Sequence, residues 1–280
     1  MTPNKIIVDL EAIRHNFLEL KRLAGASMGI IPVIKSDAYG HGMIAVAKWL
    51  EPERPDYFAV FEPAEGLALR QAGCRTPVLV MMGLEQHDIP AVVDANLTVA
   101  LFDQALAREL SRIALNKGRV VPAHIKVDTG MTRLGVPWQE VSSFLRPLVG
   151  LPGIRLEGIF SHFAMSDELG HPFTDEQMER FRSAVEQAEA LGVCTTAVHV
   201  ANSGAVLYYE AARHIGLVRP GITLYGSPPA AGLDVQCHLK PAMTFKSRVI
   251  QVKTVPAGTP VSYGSTYMTP GSATLATIPV

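Results

Sequence analysis

The run Ile30-Ile31-Pro32-Val33-Ile34-Lys35-Ser36-Asp37-Ala38-Tyr39-Gly40-His41-Gly42 places an apolar strand, one lysine and a glycine-flanked turn that opens a helix in immediate succession. An ammonium group beside four aliphatic side chains is costly to desolvate, so the pKa of Lys35 should fall. A neutral amine can attack a carbonyl carbon as a Schiff-base nucleophile. The alternative is a lysine at a strand end whose stem packs while its charged head reaches water.

Seven further apolar runs of this kind follow, and amphipathic stretches separate them. Eight strand and helix units over roughly 230 residues match an α/β fold of the (β/α)8 TIM barrel type better than an open, doubly wound sheet. In such barrels the chemistry lies at the carboxyl ends of the strands. The eight runs lie around residues 30–34, 57–60, 77–81, 97–101, 123–127, 154–160, 197–200 and 215–218.

Two segments show clear helical periodicity. Apolar residues recur at helical spacing over about residues 10–24 and again over about residues 175–191. Thr174 and Gln177 have the spacing of a capping box. We therefore expect a helix in both places, the second beginning near Thr174.

Composition favours a small-molecule partner. The 280 residues are 48% hydrophobic and 18% charged, with a formal net charge of -1, so the chain has no electrostatic preference for nucleic acid or an anionic membrane. The sequence contains no apolar run of the ~18 residues that a spanning helix needs, and its start lacks a signal-peptide core, which favours a cytoplasmic protein. Cys74, Cys194 and Cys237 lie far apart and no close pair of histidine ligands occurs, so neither a disulfide framework nor a metal site is expected.

From about residue 236 the sequence changes to alternating, turn-punctuated segments that are typical of antiparallel β structure. We therefore divide the chain into a barrel domain, residues 1–235, and the start of a mostly antiparallel β domain, residues 236–280. The second domain has about 45 residues, too few for a stable core of its own. The chain stops in a strand-like run, residues 274–280, so we interpret this domain as incomplete.

Polar side chains at the strand ends indicate a site. In residues 124–128 the period of two places Lys126 on the same face as Asp128, so Lys126 should point into the barrel. A lysine there must be paired, neutralised or modified, and Asp128 is one carboxylate that would neutralise it. Arg133, between small residues at a strand end, suits a carboxylate ligand. His162, after the sixth run, is either a hydrogen-bonded core residue or a partner for a flat ring.

The loops after the seventh and eighth runs have the features of an anion cradle. Residues 202–204 lead from a strand into a helix and offer the Ser203 hydroxyl and free backbone N–H groups, while Gly221 permits close backbone approach. Phosphate sites in TIM barrels commonly lie here, and simple turn chemistry is the alternative for each loop. A Schiff-base lysine, a phosphate cradle and an arginine for a carboxylate together indicate pyridoxal 5'-phosphate acting on an amino acid.

A competing pattern is Gly40-His41-Gly42-Met43-Ile44-Ala45, which fits the relaxed dinucleotide-binding motif, with Glu62 about twenty residues on. In the nucleotide-binding fold the first glycine follows the strand at once. Here residues 35–39 intervene, so a hydride-transfer enzyme is the less favoured alternative.

The motifs taken together resemble the alanine racemases, which are fold type III pyridoxal phosphate enzymes with a barrel followed by a β domain. The resemblance runs along nearly the whole chain, in six motifs in the same order. They are residues 33–42 (VIKSDAYGHG), 126–135 (KVDTGMTRLG), 161–164 (SHFA), 199–203 (HVANS), 218–226 (VRPGITLYG) and 261–267 (VSYGSTY).

The resemblance implies a role for each matching residue. Lys35 would carry the cofactor on its amine and act as the base for the D-enantiomer. His162 would lie against the pyridine ring, and Arg219 would face the pyridine nitrogen. Arg133 would contact the phenolic oxygen of the cofactor and the substrate carboxylate, and Lys126 would be carboxylated and pair with Arg133. The phosphate would be held by Tyr39, Ser203, Gly221 and Ile222, with Asn202 as a further cofactor-binding residue.

The resemblance also implies interconversion of L- and D-alanine by a two-base proton transfer, and a homodimeric parent protein. The family's second base is a tyrosine of the β domain, supplied by the partner subunit, and its motif would begin just after residue 280. We therefore expect the chain to racemise alanine poorly; Tyr263 and Tyr267 belong to an earlier motif and do not take that role. A racemase for serine or another amino acid and a non-catalytic pyridoxal phosphate carrier are the alternatives.

Overall fold

The computed structural model describes residues 4–193, 195–230 and 237–280. Within these ranges the chain forms two compact units, one of residues 10–242 and one that combines the residues up to Asp9 with residues 243–280. The predicted domain boundary, between residues 235 and 236, lies outside the described residues, as does Cys194. No helix in the described ranges combines the length and the apolar character that crossing a bilayer requires.

Of the first ten strands, nine belong to the larger unit and β1 lies in the smaller one. Strand β7 is a short addition that pairs with the end of β6. In chain order the first ten strands are β1 (Lys5–Val8), β2 (Gly29–Ile30), β3 (Phe58–Val60), β4 (Val78–Val80), β5 (Thr98–Leu101), β6 (Val121–Asp128), β7 (Val136–Pro137), β8 (Ile154–Phe160), β9 (Ala197–His199) and β10 (Leu217–Val218).

Eight of these strands close into a parallel ring. Strands β3, β4, β5, β6, β8 and β9 pair in that order, and β10 pairs with β2. Just beyond the strand ends, a parallel bridge joins Val33 to Ala59, and Arg219 N donates to Ala201 O at 2.8 Å. These contacts connect β2 to β3 and β10 to β9, so the TIM barrel is confirmed and the open sheet is excluded.

The barrel strands coincide with the eight apolar runs of the sequence. Strands β3, β4 and β5 are buried along their whole length. Parallel strands that are covered on both faces need side chains without polar groups on either face, which is why short runs of Val, Leu, Ile and Ala mark them.

Helical segments separate the strands, and the first of them is the helix predicted over residues 10–24. Its inner stripe of Ile13, Phe17 and Leu20 is fully buried. In chain order the segments are α1 (Leu10–Ala24), α2 (Lys35–Gly40), α3 (Met43–Leu50), α4 (Pro63–Gln71), α5 (Ile89–Asp94), α6 (Gln104–Asn116), α7 (Val141–Leu145), α8 (Pro172–Ala190), α9 (Ser203–Tyr208) and α10 (Glu210–Arg213).

The predicted capping box at Thr174 and Gln177 is wrong. Helix α8 begins at Pro172, and His171 Nδ1 accepts a hydrogen bond from the backbone at its N-terminus. The Gln177 side chain is fully buried, accepts from Ala164 N at 2.8 Å and donates to His162 O at 3.1 Å. A buried amide left without partners is costly, so these tertiary contacts take the side chain that the local pattern assigns to the cap.

The smaller unit is antiparallel, as the sequence predicts for its C-terminal part. Strand β1 pairs with β11, with Lys5 opposite Lys246 and Val8 opposite Met243. Strand β12 pairs with β15, and β13 pairs with β14. The remaining strands are β11 (Met243–Lys246), β12 (Gln251–Val255), β13 (Pro260–Val261), β14 (Tyr267–Met268) and β15 (Ala273–Thr277). The sequence pattern did not predict β1.

Candidate active site

A cavity of about 570 Å³ opens where the barrel strands end. Most of its walls come from the segments that follow β2, β6, β8, β9 and β10, and Phe61 and Met81 add to them after β3 and β4. The structure brings together every site residue that the sequence singled out: Lys35, Tyr39, Lys126, Arg133, His162, Asn202, Ser203, Arg219, Gly221 and Ile222 all line this cavity. The sequence analysis missed several apolar residues of its wall, among them Phe61, Met81, Phe163 and Pro229.

Lys35 follows the first barrel strand, and its Nζ lies 5.4 Å from the centroid of the Phe61 ring. Burial lowers the pKa of Lys35 from its ordinary value of 10.5, the charge of Arg133 lowers it further, and Glu65 acts in the opposite direction. The direction agrees with the expectation from the apolar run. A lowered pKa increases the fraction of neutral, nucleophilic amine at a given pH.

The backbone after Lys35 forms a left-handed turn. Residues 36–39 have φ angles of 53°, 52°, 54° and 54°, a region that costs a non-glycine residue about 1–2 kcal/mol. Asp37 Oδ1 accepts a hydrogen bond from Met43 N at 2.7 Å, and Ala38 N donates to Ile34 O at 2.9 Å. The sequence predicts a turn here but not its hand.

Arg219 lies in the barrel interior and is only 2% exposed. Its Nη1 lies 2.8 Å from both Nδ1 and the carbonyl oxygen of His199. Its Nη2 donates to Ser161 O at 2.6 Å and lies 3.3 Å from His162 Nδ1. Burial lowers the pKa of Arg219 to about 9, so near neutral pH the guanidinium stays a cation in a fixed orientation.

Behind Arg219 a line of buried side chains crosses the barrel. His199 Nε2 lies 2.8 Å from His124 Nδ1, and His124 Nε2 lies 3.9 Å from Glu157 Oε1. Because the guanidinium donates to His199 Nδ1, the imidazole proton of His199 sits on Nε2, and that of His124 then sits on the nitrogen that faces Glu157. Tyr57 Oη donates to Glu157 at 3.0 Å. The N–H groups of His199 and His124 thus both point along the line away from Arg219 and toward Glu157.

The sequence analysis did not identify this line of histidines. One signal was available: Gly158, opposite His124 in the β6–β8 register, is the residue whose missing side chain leaves room for the imidazole. Burial lowers the pKa of His199 well below its ordinary value, and the charge of Arg219 adds to the effect. His199 is therefore neutral and can accept from the guanidinium.

Lys126 points into the barrel, as the strand alternation predicts. Its Nζ lies 4.4 Å from the centroid of the Phe160 ring, and burial, with the charges of Arg219 and Arg133, lowers its pKa well below 10.5. Asp128 Oδ1 accepts instead from Gly130 N at 2.8 Å and from Thr132 N at 3.1 Å. Asp128 therefore does not pair directly with Lys126; its charge acts on the amine at longer range, where it raises the pKa but is outweighed by burial and the two arginines.

His162 lies beside these cations at the cavity wall. Burial lowers its pKa well below the ordinary 6.5, and the charges of Arg219 and Lys126 lower it further. The imidazole is therefore neutral near pH 7. Its ring edge faces Asn202, whose Nδ2 lies 3.5 Å from His162 Nε2.

The predicted anion cradle lies in the segments that follow β9 and β10. Asn202 caps α9, and its Oδ1 accepts from Ala205 N at 3.1 Å. Ser203 Oγ accepts from Gly221 N at 2.9 Å and from the Thr223 hydroxyl at 3.0 Å, which leaves its own hydrogen to donate. A methyl carbon at Gly221 would lie 2.8 Å from Tyr39 Oη. Two hydroxyl groups and a bare stretch of backbone thus converge on one point.

Two family models match the chain. The first, described as "Alanine racemase, N-terminal domain", matches residues 8–229, and the second, "Alanine racemase, C-terminal domain", matches residues 242–280. The second match distinguishes the chain from a protein that consists of the barrel alone.

Curated relatives and solved structures agree with the family models. An alanine racemase of Syntrophobacter fumaroxidans is 41% identical over 280 residues, which are 100% of this chain and 74% of that protein. One of Citrifermentans bemidjiense is 42% identical over 283 residues, which span 99% of this chain and 74% of that protein. The structure of alanine racemase from Clostridium difficile 630 superimposes with a TM-score of 0.91 at 35% identity, covering 100% of this chain and 74% of that one.

Proposed function

The chain belongs to the alanine racemase family, and from that premise we propose that the cavity at the ends of its barrel strands is the place where it interconverts L- and D-alanine. The family is dependent on pyridoxal phosphate, and alanine is its small-molecule substrate. The observation that carries the proposal is that the Lys35 amine and the Ser203–Gly221 cradle line one cavity.

The residues present fit the cofactor. A partly buried amine with a lowered pKa suits the aldehyde, and the hydroxyl groups of Tyr39 and Ser203 with the backbone at Gly221 suit the phosphate. The neutral His162 suits one face of the ring, because an aromatic side chain stacks there without a charge to desolvate. When bound, the cofactor supplies a conjugated ring that accepts the electron pair of the Cα–H bond.

Arg219 faces the ring nitrogen in this proposal. Its hydrogen bonds to His199 and Ser161 hold the guanidinium in place at the cavity wall. A permanent cation disfavours protonation of a neighbouring nitrogen. Arg219 therefore limits how strongly the ring withdraws electrons, which favours return of the proton to Cα over side reactions.

Lys35 and Arg133 act on the amino acid itself. Once the substrate amine has replaced Lys35 on the cofactor, the freed, neutral Lys35 amine would take the proton from Cα of D-alanine and return it there, which its lowered pKa permits. Arg133 binds the substrate carboxylate, since a guanidinium pairs with that group through two parallel hydrogen bonds. Together they hold the substrate with Cα near the base.

Carboxylation of Lys126 is part of the proposal. The side chain is buried, and the charges of Arg219 and Arg133 both act on its amine. A neutral amine adds to carbon dioxide and releases one proton to solvent. The resulting carbamate anion would pair with Arg133, whereas a lysine ammonium there would repel it. We also propose that the protein is a homodimer that acts in the cytoplasm, which the family resemblance supports. The near-neutral charge supports the further proposal that neither nucleic acid nor a membrane is its partner.

Hydrogen exchange at Cα tests the proposal directly. The chain is incubated with pyridoxal 5'-phosphate in deuterated water, with D-alanine and L-alanine in separate samples, and loss of the Cα proton signal is followed by NMR. We expect exchange of D-alanine well above the rate with free cofactor. Lys35→Ala should abolish this exchange, because no other group in the proposal takes that proton.

Lys48→Ala is the matched control, since Lys48 is an exposed lysine on α3. It should exchange D-alanine at the rate of the unmodified chain. Exchange that persists in Lys35→Ala, or an unmodified chain that exchanges neither enantiomer, would overturn the proposal.

A further inference from the structure

The left-handed turn after Lys35 needs an external restraint. Four consecutive non-glycine residues, Ser36 to Tyr39, occupy the left-handed region. At about 1–2 kcal/mol for each residue, this segment would relax to another conformation without contacts that hold it. Because Lys35 is the residue that precedes the turn, such a relaxation would redirect its side chain.

One carboxylate supplies contacts on both sides of Lys35. Glu65 Oε1 accepts from Ser36 N at 2.5 Å, the first amide of the left-handed turn. Glu65 Oε2 accepts from Phe61 N at 2.7 Å and from Glu62 N at 3.0 Å. Glu65 therefore ties the turn after β2 to the loop between β3 and α4.

The same carboxylate holds the backbone of the residue over whose ring the amine lies. Lys35 Nζ is 5.4 Å from the centroid of the Phe61 ring, and the Phe61 amide is one of the three that Glu65 accepts from. The backbone just after the lysine and the backbone that carries the aromatic wall beside it thus share one acceptor side chain. Glu65 is not among the residues that line the cavity, so it acts through Lys35 and Phe61.

We propose that Glu65 is a positioning residue that aims the Lys35 amine at the cofactor aldehyde by holding the left-handed turn and the Phe61 loop together. The inference rests on the proposed function, because it assigns Lys35 the capture of pyridoxal 5'-phosphate.

Charge and geometry give opposite predictions for Glu65. Burial and Arg133 lower the pKa of Lys35, whereas the negative charge of Glu65 raises it. If Glu65 acted through charge alone, removing the charge would increase the fraction of neutral amine and speed capture of the aldehyde. If it acts by holding the backbone, removal slows capture. The sign of the change in rate therefore separates the two roles.

The experiment mixes cofactor-free protein with pyridoxal 5'-phosphate and follows the absorbance of the protein-bound cofactor at fixed pH. Glu65→Gln places an amide N–H₂ against backbone N–H groups, so one set of amides loses its acceptor. Glu65→Asp keeps the charge but is one methylene too short to reach both sets. We expect both variants to capture the cofactor about tenfold more slowly, the loss of one hydrogen bond to a charged acceptor.

Asp103→Ala is the matched control. Asp103 Oδ1 accepts from Leu106 N at 2.9 Å at the start of α6, so the variant loses a backbone contact to a carboxylate at a helix that carries no site residue. Thermal unfolding of each variant accompanies the rate measurement. We expect Asp103→Ala to lose stability and keep the capture rate of the unmodified chain.

The outcomes are distinguishable. Faster capture by Glu65→Gln together with an unchanged Glu65→Asp assigns Glu65 a role through charge and overturns the inference, as does an unchanged rate in both variants. Slowing in Asp103→Ala that equals slowing in the Glu65 variants also overturns it, because the effect is then one of general stability. An unmodified chain that captures no cofactor on Lys35 overturns the proposed function and this inference with it.

Discussion

Substituting Gly158 by alanine should dislodge the buried histidine that stands behind Arg219. A Cβ at residue 158 would lie 2.5 Å from His124 Cδ2 and 2.7 Å from its Nε2. The His124 ring is fully buried, and the rings of Tyr57 and His199 meet it at centroid distances of 5.1 and 5.0 Å. Carbon atoms do not approach a ring this closely, so the new methyl group must displace the imidazole or the strand.

The structure sets the size of the effect. Overpacking a buried site costs about 1–3 kcal/mol. Moving His124 also breaks its 2.8 Å hydrogen bond with His199, which leaves a buried polar atom unpaired at a further ~1–3 kcal/mol. We therefore expect Gly158→Ala to lower the free energy of unfolding by about 2–6 kcal/mol.

Urea denaturation measures this change through the midpoint and the slope of the transition. Gly271→Ala serves as the control, because a methyl group there would meet no atom within 4 Å and the backbone is not left-handed. We expect the control to change stability by less than about 0.5 kcal/mol. A loss below about 1 kcal/mol in Gly158→Ala would show that the imidazole has room to move and would refute the reasoning.

Three further predictions concern charge and the cradle. Burial and, after it, the charge of Arg133 lower the pKa of Lys35, so Arg133→Gln should raise that pKa. Because cofactor capture needs the neutral amine, the capture rate should then increase at higher pH than in the unmodified chain. Stopped-flow absorbance across a range of pH measures this shift. Ser203→Ala removes a hydroxyl that joins Gly221 to the cradle, so equilibrium dialysis should find about tenfold weaker binding of pyridoxal 5'-phosphate and unchanged binding of pyridoxal. Burial raises the pKa of Glu157, but the hydrogen bonds that the carboxylate accepts have the larger effect and lower the pKa from 4.5 to about 2. The stability that this carboxylate contributes is therefore fully present above about pH 4.5 and is lost as the pH falls toward 2. The difference in stability between the unmodified chain and Glu157→Gln, at most about 3 kcal/mol, should therefore shrink in urea titrations at falling pH.

The sequence predicts the barrel because its signal is local. Each parallel strand is buried on both faces, so a short apolar run marks it without reference to the rest of the chain. Strand β1 has no such signal: Lys5–Val8 is largely exposed and pairs with Met243–Lys246, more than two hundred residues away. A pairing of that range depends on the tertiary fold and not on the pattern of either segment.

In the candidate site, too, the residues with a local sequence signal could be predicted and those that depend on tertiary contacts could not. Lys35, Ser203 and Gly221 stand at strand ends, where barrel geometry alone brings them together. The left-handed turn after Lys35 could not be predicted, because no residue in 36–39 is a glycine and one of the contacts that hold the turn comes from Glu65, on helix α4. Gln177 gives a second example, since burial and three tertiary partners override its local capping pattern.

Borohydride reduction of the cofactor-loaded chain, followed by proteolysis and mass spectrometry of the peptides, tests most directly whether the Lys35 amine carries pyridoxal 5'-phosphate. Reduction makes the carbon–nitrogen bond permanent, so the modified peptide identifies the lysine. We predict that the added mass lies on the peptide with Lys35. Modification of Lys126 or of a surface lysine instead, with Lys35 unmodified, would contradict the assignment of this cavity as the site of racemisation.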